Sequence, residues 1–390
     1  MKVTMNILIV SNFYPSREFP QFCIYIEQQA KALVQLGHRV EVIVPESGRH
    51  RKEGVRKYVR SGIAVHRHSY YSLYKEIYCS ALLYYNIRTL KHSFDFSSYD
   101  IIAIHMFDEN TLRLFYPIAR KYRLKLVLHF HGLSILYDHP LSLPARLLQR
   151  RGDFVLKRLI AKADAIVGVS DKVGKRVREY CPNKHIFTVY NGADTHIFRP
   201  ADAKDRDFFT IVCVAGLKRI KGIHYLISAV KLLGKKHPDI PIRLILIGKG
   251  AEETALKNQV KFLHLEDMVR FMGLIPYEEV ADILRQGDVF ALPSFYEALG
   301  CAYLEAMACR LPVIGCKYQG IDEIICHGQN GLLVEPHNVK ELWEKLDYLL
   351  MNPDKAREIA EEGLHTIING YTWEASAIRL SEVYRYIGTL

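Results

Sequence analysis

The chain has 390 residues, enough for two domains that each bury a core, and its 49% hydrophobic and 24% charged residues exclude a disordered or fibrous protein. Its net charge of +11 is unevenly shared: residues 1–200 hold 31 Lys and Arg against 16 Asp and Glu, residues 201–390 only 22 against 26. A basic first half calls for an anionic partner, either nucleic acid or an anionic membrane surface.

No apolar stretch approaches the roughly 20 residues of a membrane span, and Met1 to Met5 lead straight into a strand-like run, so a cytoplasmic protein without a signal peptide is expected. Eight cysteines form no CxxC pair; Cys213, Cys309 and Cys316 sit in apolar segments and read as reduced core residues.

In chain order, Asn6 to Ser11 is a buried-strand pattern, Ile24 to Leu36 has apolar residues at helical spacing and stops at Gly37, and Arg39 to Val44 is the next strand. This β–loop–α–β opening predicts a doubly wound parallel sheet, without the GxGxxG a dinucleotide needs. Arg49 to Arg60 is the densest basic run, either a solvated loop or a membrane-facing patch. An alternating strand follows from Ile63 to His68, then a Tyr- and Leu-rich run, Tyr70 to Leu90, that suits core or an interfacial helix pair. Ile101 to Ile104 and Lys125 to Phe130 read as strands, the second ending at His131-Gly132, where a side chain at a parallel strand's carboxyl end points into a ligand crevice. The pairs His66/His68 and His129/His131 each share a face, but with no third ligand in view they argue for no metal. Leu143 to Lys162 predicts a long basic helix.

A polar linker, Pro200 to Asp207, precedes the second domain. Its Asp205-x-Asp207 lies in a charged linker and not at the end of an apolar strand, so no metal is assigned to it. Phe208 to Ala215 is a strand, and Gly216 to Gly222 leads into a helix from Ile223 to Leu233. Lys221, just before that helix, is placed to neutralise a diphosphate. Leu244 to Gly250 and Val269 to Gly273 are further strands. Val289 to Leu292, a loop to Leu299, a helix from Cys301 to Cys309 and Val313 to Gly315 form a strand–loop–helix–strand unit. Glu297 lies in its loop and Glu305 about two turns into its helix. Between them the free backbone N–H groups of Gly300, Cys301 and Ala302 offer a phosphate site. A site built this way suits a sugar nucleotide, the loop acid accepting from sugar hydroxyls and the deeper acid from a ribose, but for two lone glutamates the reading as solvated surface acids leads. Helical segments run from Val339 to Leu350, Pro353 to Ile368 and Trp373 to Ile387.

The run Pro293-Ser294, Glu297, Gly300, Leu304 to Ala308, Pro312-Val313, Gly320, Glu323-Ile324 and Gly328-x-x-Gly331-Leu332-Leu333-Val334 closely resembles the E-x7-E block of the retaining family 4 glycosyltransferases. Gly37-His38-x-Val40-x-Val42, Ala163 to Ser170 and Val189 to Asp194 resemble the same family elsewhere. The resemblance implies α/β architecture of the GT-B type, two Rossmann-like doubly wound parallel-sheet domains with a cleft between them. Residues 1–199, completed by a C-terminal helix 373–390, would form the acceptor-side domain, and 200–372 the nucleotide-sugar domain. It implies His131, Lys221 and Glu297 as catalytic. Donor binding falls to Gly216, Lys221, Gly248, Gly250, Phe271, Met272, Gly273, Glu297, Ala298, Leu299, Gly300, Cys301 and Glu305. Ala298-Leu299 stand where the family usually has Gly-Phe, and Gly216 where many relatives have Arg, a place Lys218 or Arg219 could serve.

The activity so implied is transfer of a hexosyl group from a nucleotide sugar, UDP- in preference to GDP-, to a saccharide acceptor, lipid-linked, with retention of configuration, in cell-surface polysaccharide synthesis. No metal or other cofactor is expected, and no nucleic acid. The expected location is cytoplasmic, peripheral to the inner face of the membrane. A GT-B sugar-nucleotide epimerase is the alternative within the fold. A nucleic-acid-binding protein is the alternative outside it, without a finger, helix-turn-helix or RNP pattern; a dehydrogenase lacks its GxGxxG.

Overall fold

The computed structural model describes residues 4–16, 20–47, 57–70, 80–132, 156–182, 184–201 and 207–389. It divides into two units, Met1–Tyr190 with Ser376–Leu390, and Asn191–Ala375.

Unit 1 contains β1 (Asn6–Ser11), α1 (Ile24–Gln35), β2 (Arg39–Ser47), β3 (Lys57–Arg60), β4 (Ile63–Tyr70), α2 (Ser80–Ser93), β5 (Ile101–His105), α3 (Glu109–Tyr122), β6 (Lys125–Phe130), β7 (Ala165–Gly168), α4 (Asp171–Tyr180) and β8 (His185–Thr188). The strands form one sheet in the order β3-β4-β2-β1-β5-β6-β7-β8. All pairs are parallel except β3 with β4. Ile7 to Val10 and Ile101 to Ile104 are buried, as strands covered on both faces require.

Unit 2 contains β9 (Phe209–Val214), α5 (Ile223–Lys236), β10 (Ile242–Ile247), α6 (Glu253–Phe262), β11 (Val269–Gly273), α7 (Tyr277–Gln286), β12 (Val289–Ala291), α8 (Cys301–Ala308), β13 (Val313–Cys316), β14 (Leu332–Val334), α9 (Val339–Met351) and α10 (Pro353–Gly370). Its parallel sheet runs β11-β10-β9-β12-β13-β14. The last helix, α11 (Trp373–Thr389), joins unit 1 from Ser376 onward. There Ser381 Oγ lies 2.9 Å from His38 Nε2, and Ser376 Oγ donates to the Tyr190 carbonyl at 2.7 Å.

Register is fixed by one recurring device. Asp100, Asp164 and Asp288 each stand one residue before a strand, and each carboxylate accepts a backbone N–H of the neighbouring strand: Asn6 and Leu126 at 2.7 Å, Thr210 at 2.8 Å. A one-residue slip would cost both that charge-assisted bond and the burial of every inward side chain.

Several expectations change. Lys57–Arg60, read as the end of a basic loop, is an edge strand paired antiparallel with β4. Its alternate residues Lys57 and Val59 are exposed, and the strand is only four residues long with a lysine at its start, features that protect a sheet edge. Strand β8 and helices α3, α4, α6 and α7 had no counterpart in the sequence reading. Residues 48–56, 71–79, 133–155 and 202–206 lie outside the described residues, and with them most of the basic runs, most of the helix expected from Leu143 to Lys162, and Asp205. The segment 191–199, placed with the first domain by sequence, lies in unit 2. There the Phe198 ring packs 4.9 Å from that of Tyr277, and Arg285 donates to the Ile197 carbonyl at 3.0 Å.

Candidate active site

In unit 2 the carboxyl ends of β9 and β12 bring two loops together. After β9 the chain passes through a single 3-10 turn, Arg219–Lys221, to Gly222, which has φ 66° and caps α5. A Cβ on Gly222 would lie 2.1 Å from the Pro293 carbonyl oxygen, so only glycine lets the loops meet. Phe295 N–H donates to the Ile220 carbonyl at 3.0 Å, and the buried Ser294 hydroxyl lies 3.2 Å from the same oxygen. This clamp sets Lys221 Nζ against Glu297 Oε2 in a short ion pair, with only 18% and 13% of the two side chains exposed. Sequence named both residues separately; their contact is a product of the fold.

Glu297 is held from the other side as well. Its N–H donates to Gln319 Oε1 at 3.0 Å, and its carbonyl accepts from Gly320 at 3.2 Å. A Cβ on Gly320 would strike the Ala298 oxygen at 1.8 Å. Gln319, not singled out in the sequence, is therefore a supporting residue whose role lay in a contact 22 positions away.

Beyond Glu297, Gly300 takes φ 89° and opens α8. The first N–H groups of α8 thus lie on the same edge as Lys221, with Leu299 buried beneath. Cys301 accepts a hydrogen bond from Asn191 Nδ2 at 3.3 Å, and burial pushes its thiol up to about 12, so it is no nucleophile near neutral pH.

Glu305 differs from a ligand-facing acid in open solvent. It is 7% exposed and accepts a hydrogen bond from Tyr277 Oη at 2.8 Å. Burial pushes its carboxyl up to about 7, against the opposing effect of Tyr277, with Asp194 adding to the rise. Tyr277, on α7, was missed because no local pattern separates this tyrosine from an ordinary amphipathic helix residue.

The turn after β10 lies beside that after β9. Leu217 N–H donates to the Lys249 carbonyl at 3.0 Å and Gly248 N–H to Gly273 at 2.8 Å. Gly248 has φ 134°, and a Cβ there would lie 1.9 Å from the Ala215 oxygen; one on Gly250 would lie 2.3 Å from that of Leu217. Met272 is 43% exposed at the end of β11, beside the half-buried Phe271 and Gly273. The structure thus brings Gly216, Lys221, Gly248, Gly250, Phe271 to Gly273, Glu297 to Cys301 and Glu305 to the carboxyl-end edge of one sheet.

His131 belongs to unit 1, directly after β6. Its Nε2 lies 2.8 Å from Nδ1 of His105, the last residue of β5. His129, in register with His105, lies 2.9 Å through Nε2 from Tyr384 Oη. Burial holds all three imidazoles below their usual range, His131 at about 3, so all are neutral at physiological pH. His105 is the third histidine that the sequence did not supply.

Two Rossmann-like doubly wound sheets, parallel but for the β3–β4 pair, are the architecture of the GT-B class of glycosyltransferases. Residues 194–366 match the model for glycosyl transferases group 1, and residues 24–197 that for glycosyltransferase family 4. The chain is a glycosyltransferase of the GT-B fold related to the group 1 and family 4 glycosyltransferases. Among its relatives, one of the subunits of the phosphatidylinositol N-acetylglucosaminyltransferase of Homo sapiens is 28% identical over 388 residues, 98% of this chain and 76% of that protein. A sucrose-phosphate synthase from Thermosynechococcus elongatus shares the fold with a TM-score of 0.80 at 19% identity, covering 98% of this chain and 99% of that one. HepE of Anabaena, solved with UDP, does so at 0.75 and 20% identity, covering 98% and 100%. No helix of the described residues is long and apolar enough to cross a membrane.

Proposed function

We propose that the chain transfers a hexosyl group from a UDP-sugar, with retention of anomeric configuration, to a lipid-linked saccharide at an anionic membrane surface. Unit 2 holds the donor and unit 1 the acceptor. The observation that carries the reading is the Lys221–Glu297 pair set beside the first N–H groups of α8. Lys221 has three donors, so its ammonium can keep Glu297 and still meet a diphosphate oxygen. The α8 amides take the rest of that charge, and Glu297 accepts from a sugar hydroxyl. As the C1–O bond to the diphosphate breaks, the acceptor oxygen bonds to C1 on the same face, and its proton passes to the departing phosphate oxygen. Glu305 accepts from the ribose hydroxyls. HepE's complex with UDP supports the choice of base.

The acceptor class rests on charge and on one relative. Residues 1–200 carry an excess of fifteen positive charges, and the human relative's name places its reaction on phosphatidylinositol. Each Lys or Arg near an anionic leaflet contributes about 1 kcal/mol, so a few suffice for reversible docking. The test pairs a panel of nucleotide sugars, read by nucleoside diphosphate release, with sedimentation on vesicles of graded anionic lipid. Binding should grow with anionic lipid and reverse with salt; equal binding to neutral vesicles, or none at low salt, favours a soluble anionic acceptor.

A further inference from the structure

Three histidines of unit 1, His105 and His129 buried and His131 at the sheet's edge, form an arrangement that neither a metal nor ordinary core packing explains. Their ring nitrogens fall within 4.8 Å of one another. Yet the rings of His105 and His129 are stacked 4.1 Å apart and 16° from parallel. The lone pairs of stacked rings run side by side and do not converge on one ion at the ~2.0–2.1 Å of a zinc–nitrogen bond. The contact between His105 Nδ1 and His131 Nε2, at 2.8 Å with the rings 23° from parallel, is instead a hydrogen bond between two neutral imidazoles.

That bond allows two proton arrangements. Among the described residues His105 Nε2 and His131 Nδ1 are buried atoms without a hydrogen-bond partner, so one must carry an unmatched N–H and the other an unmatched lone pair. A buried orphan N–H is the rarer state. His105 is buried as a whole residue, whereas His131 stands at the sheet's carboxyl edge and keeps some exposure although its Nδ1 is covered, so a ligand that enters there reaches His131 and not His105. The favoured arrangement therefore leaves the lone pair on His105 in the core and puts the N–H on His131 Nδ1.

We propose that His105 is a positioning residue: its Nδ1–H donates to His131 Nε2, fixing His131 as the Nδ1–H tautomer that donates a hydrogen bond to a sugar hydroxyl of the reacting substrates. His131 is then a donor and not a general base. The stack of His129 on His105, with His129 joined to Tyr384 of α11, holds the His105 ring in plane for this bond. The role in transfer rests on the function proposed above; the tautomer does not.

The test reads the two parts separately. Protein labelled with 15N-histidine, with His131 assigned through His131→Gln, should show His131 as the Nδ1–H tautomer. His105→Leu should move it mainly to Nε2–H and lower kcat about ten-fold, with donor KM changed less than about two-fold. His105→Asn, whose amide N–H stands where Nδ1–H stood, should restore both. Should His105→Leu fail to fold, His105→Asp serves instead: its carboxylate accepts from Nε2–H, so it should force the reverse tautomer and the same loss. An Nε2–H tautomer in the parent protein, an unchanged tautomer in the Leu and Asp variants, or a switched tautomer with unchanged kcat would each overturn the proposal. Saturable one-to-one Zn2+ binding that is lost in His105→Leu would overturn it in favour of a metal centre.

Discussion

Glu305→Gln isolates the energetic cost of burying an acid in unit 2. Burial raises the Glu305 carboxyl from 4.5 to about 7. At 1.36 kcal/mol per unit the ionised form costs about 3 kcal/mol relative to an unfolded chain in which the acid titrates normally. Because the folded-state value is the raised one, the stability contribution is complete below about pH 4.5, falls as pH climbs towards 7, and is gone above it. Glutamine keeps the shape and the acceptor for Tyr277 but cannot ionise. Thermal melts of parent and variant at intervals from pH 4.5 to 8 should therefore diverge with rising pH. For a unit of this size about 3 kcal/mol is worth roughly 6–12 °C in the variant's favour at pH 8. Nucleoside diphosphate should act in the opposite sense: with the proposed ribose contact to the ionised carboxylate, it should stabilise the parent more than the variant. Parallel melting curves across this range would refute the burial argument. Equal nucleotide stabilisation of the two proteins would refute the ribose role alone.

Glu297→Gln should leave nucleoside diphosphate binding within a few-fold while turnover falls by about 2–4 kcal/mol of transition-state stabilisation, measured as product formed per enzyme; near-parental turnover would remove Glu297 from the chemistry. Lys221→Ala should lower donor affinity and turnover together, since it leaves the diphosphate without its ammonium and Glu297 without its partner, and EDTA should alter neither in the parent. Gly248→Ala places a methyl 1.9 Å from the Ala215 oxygen at φ 134°. It should lower the melting temperature and weaken nucleotide binding, while Gly328→Ala, at φ 82° with open space around its Cβ position, pays only the backbone strain of about 1–2 kcal/mol and leaves binding intact.

The sequence alone determined the α/β class and the strand–loop–helix–strand order read from Val289 to Gly315, and it named residues that the fold brings to that unit's carboxyl edge. Those are local signals: apolar runs of strand length, Gly300 before a helix, and Pro312 after it. The long match from Pro293 to Val334 then made Glu297 and Glu305 a pair where spacing alone would have left two surface acids. What only the tertiary structure decided is where each group finds its partner. Lys221 meets Glu297 across 76 positions, Tyr277 meets Glu305 across 28, and His105 meets His131 across 26. Periodicity carries no record of such distances, because a parallel sheet sets its neighbours by strand order, and strand order follows from the packing of whole crossovers. The same holds for protonation. The sequence reads Glu305 as an acid of the site, but only α7, bringing Tyr277 against it, shows how deeply it is buried, and only β5, placed beside β6, brings His105 to the His131 ring.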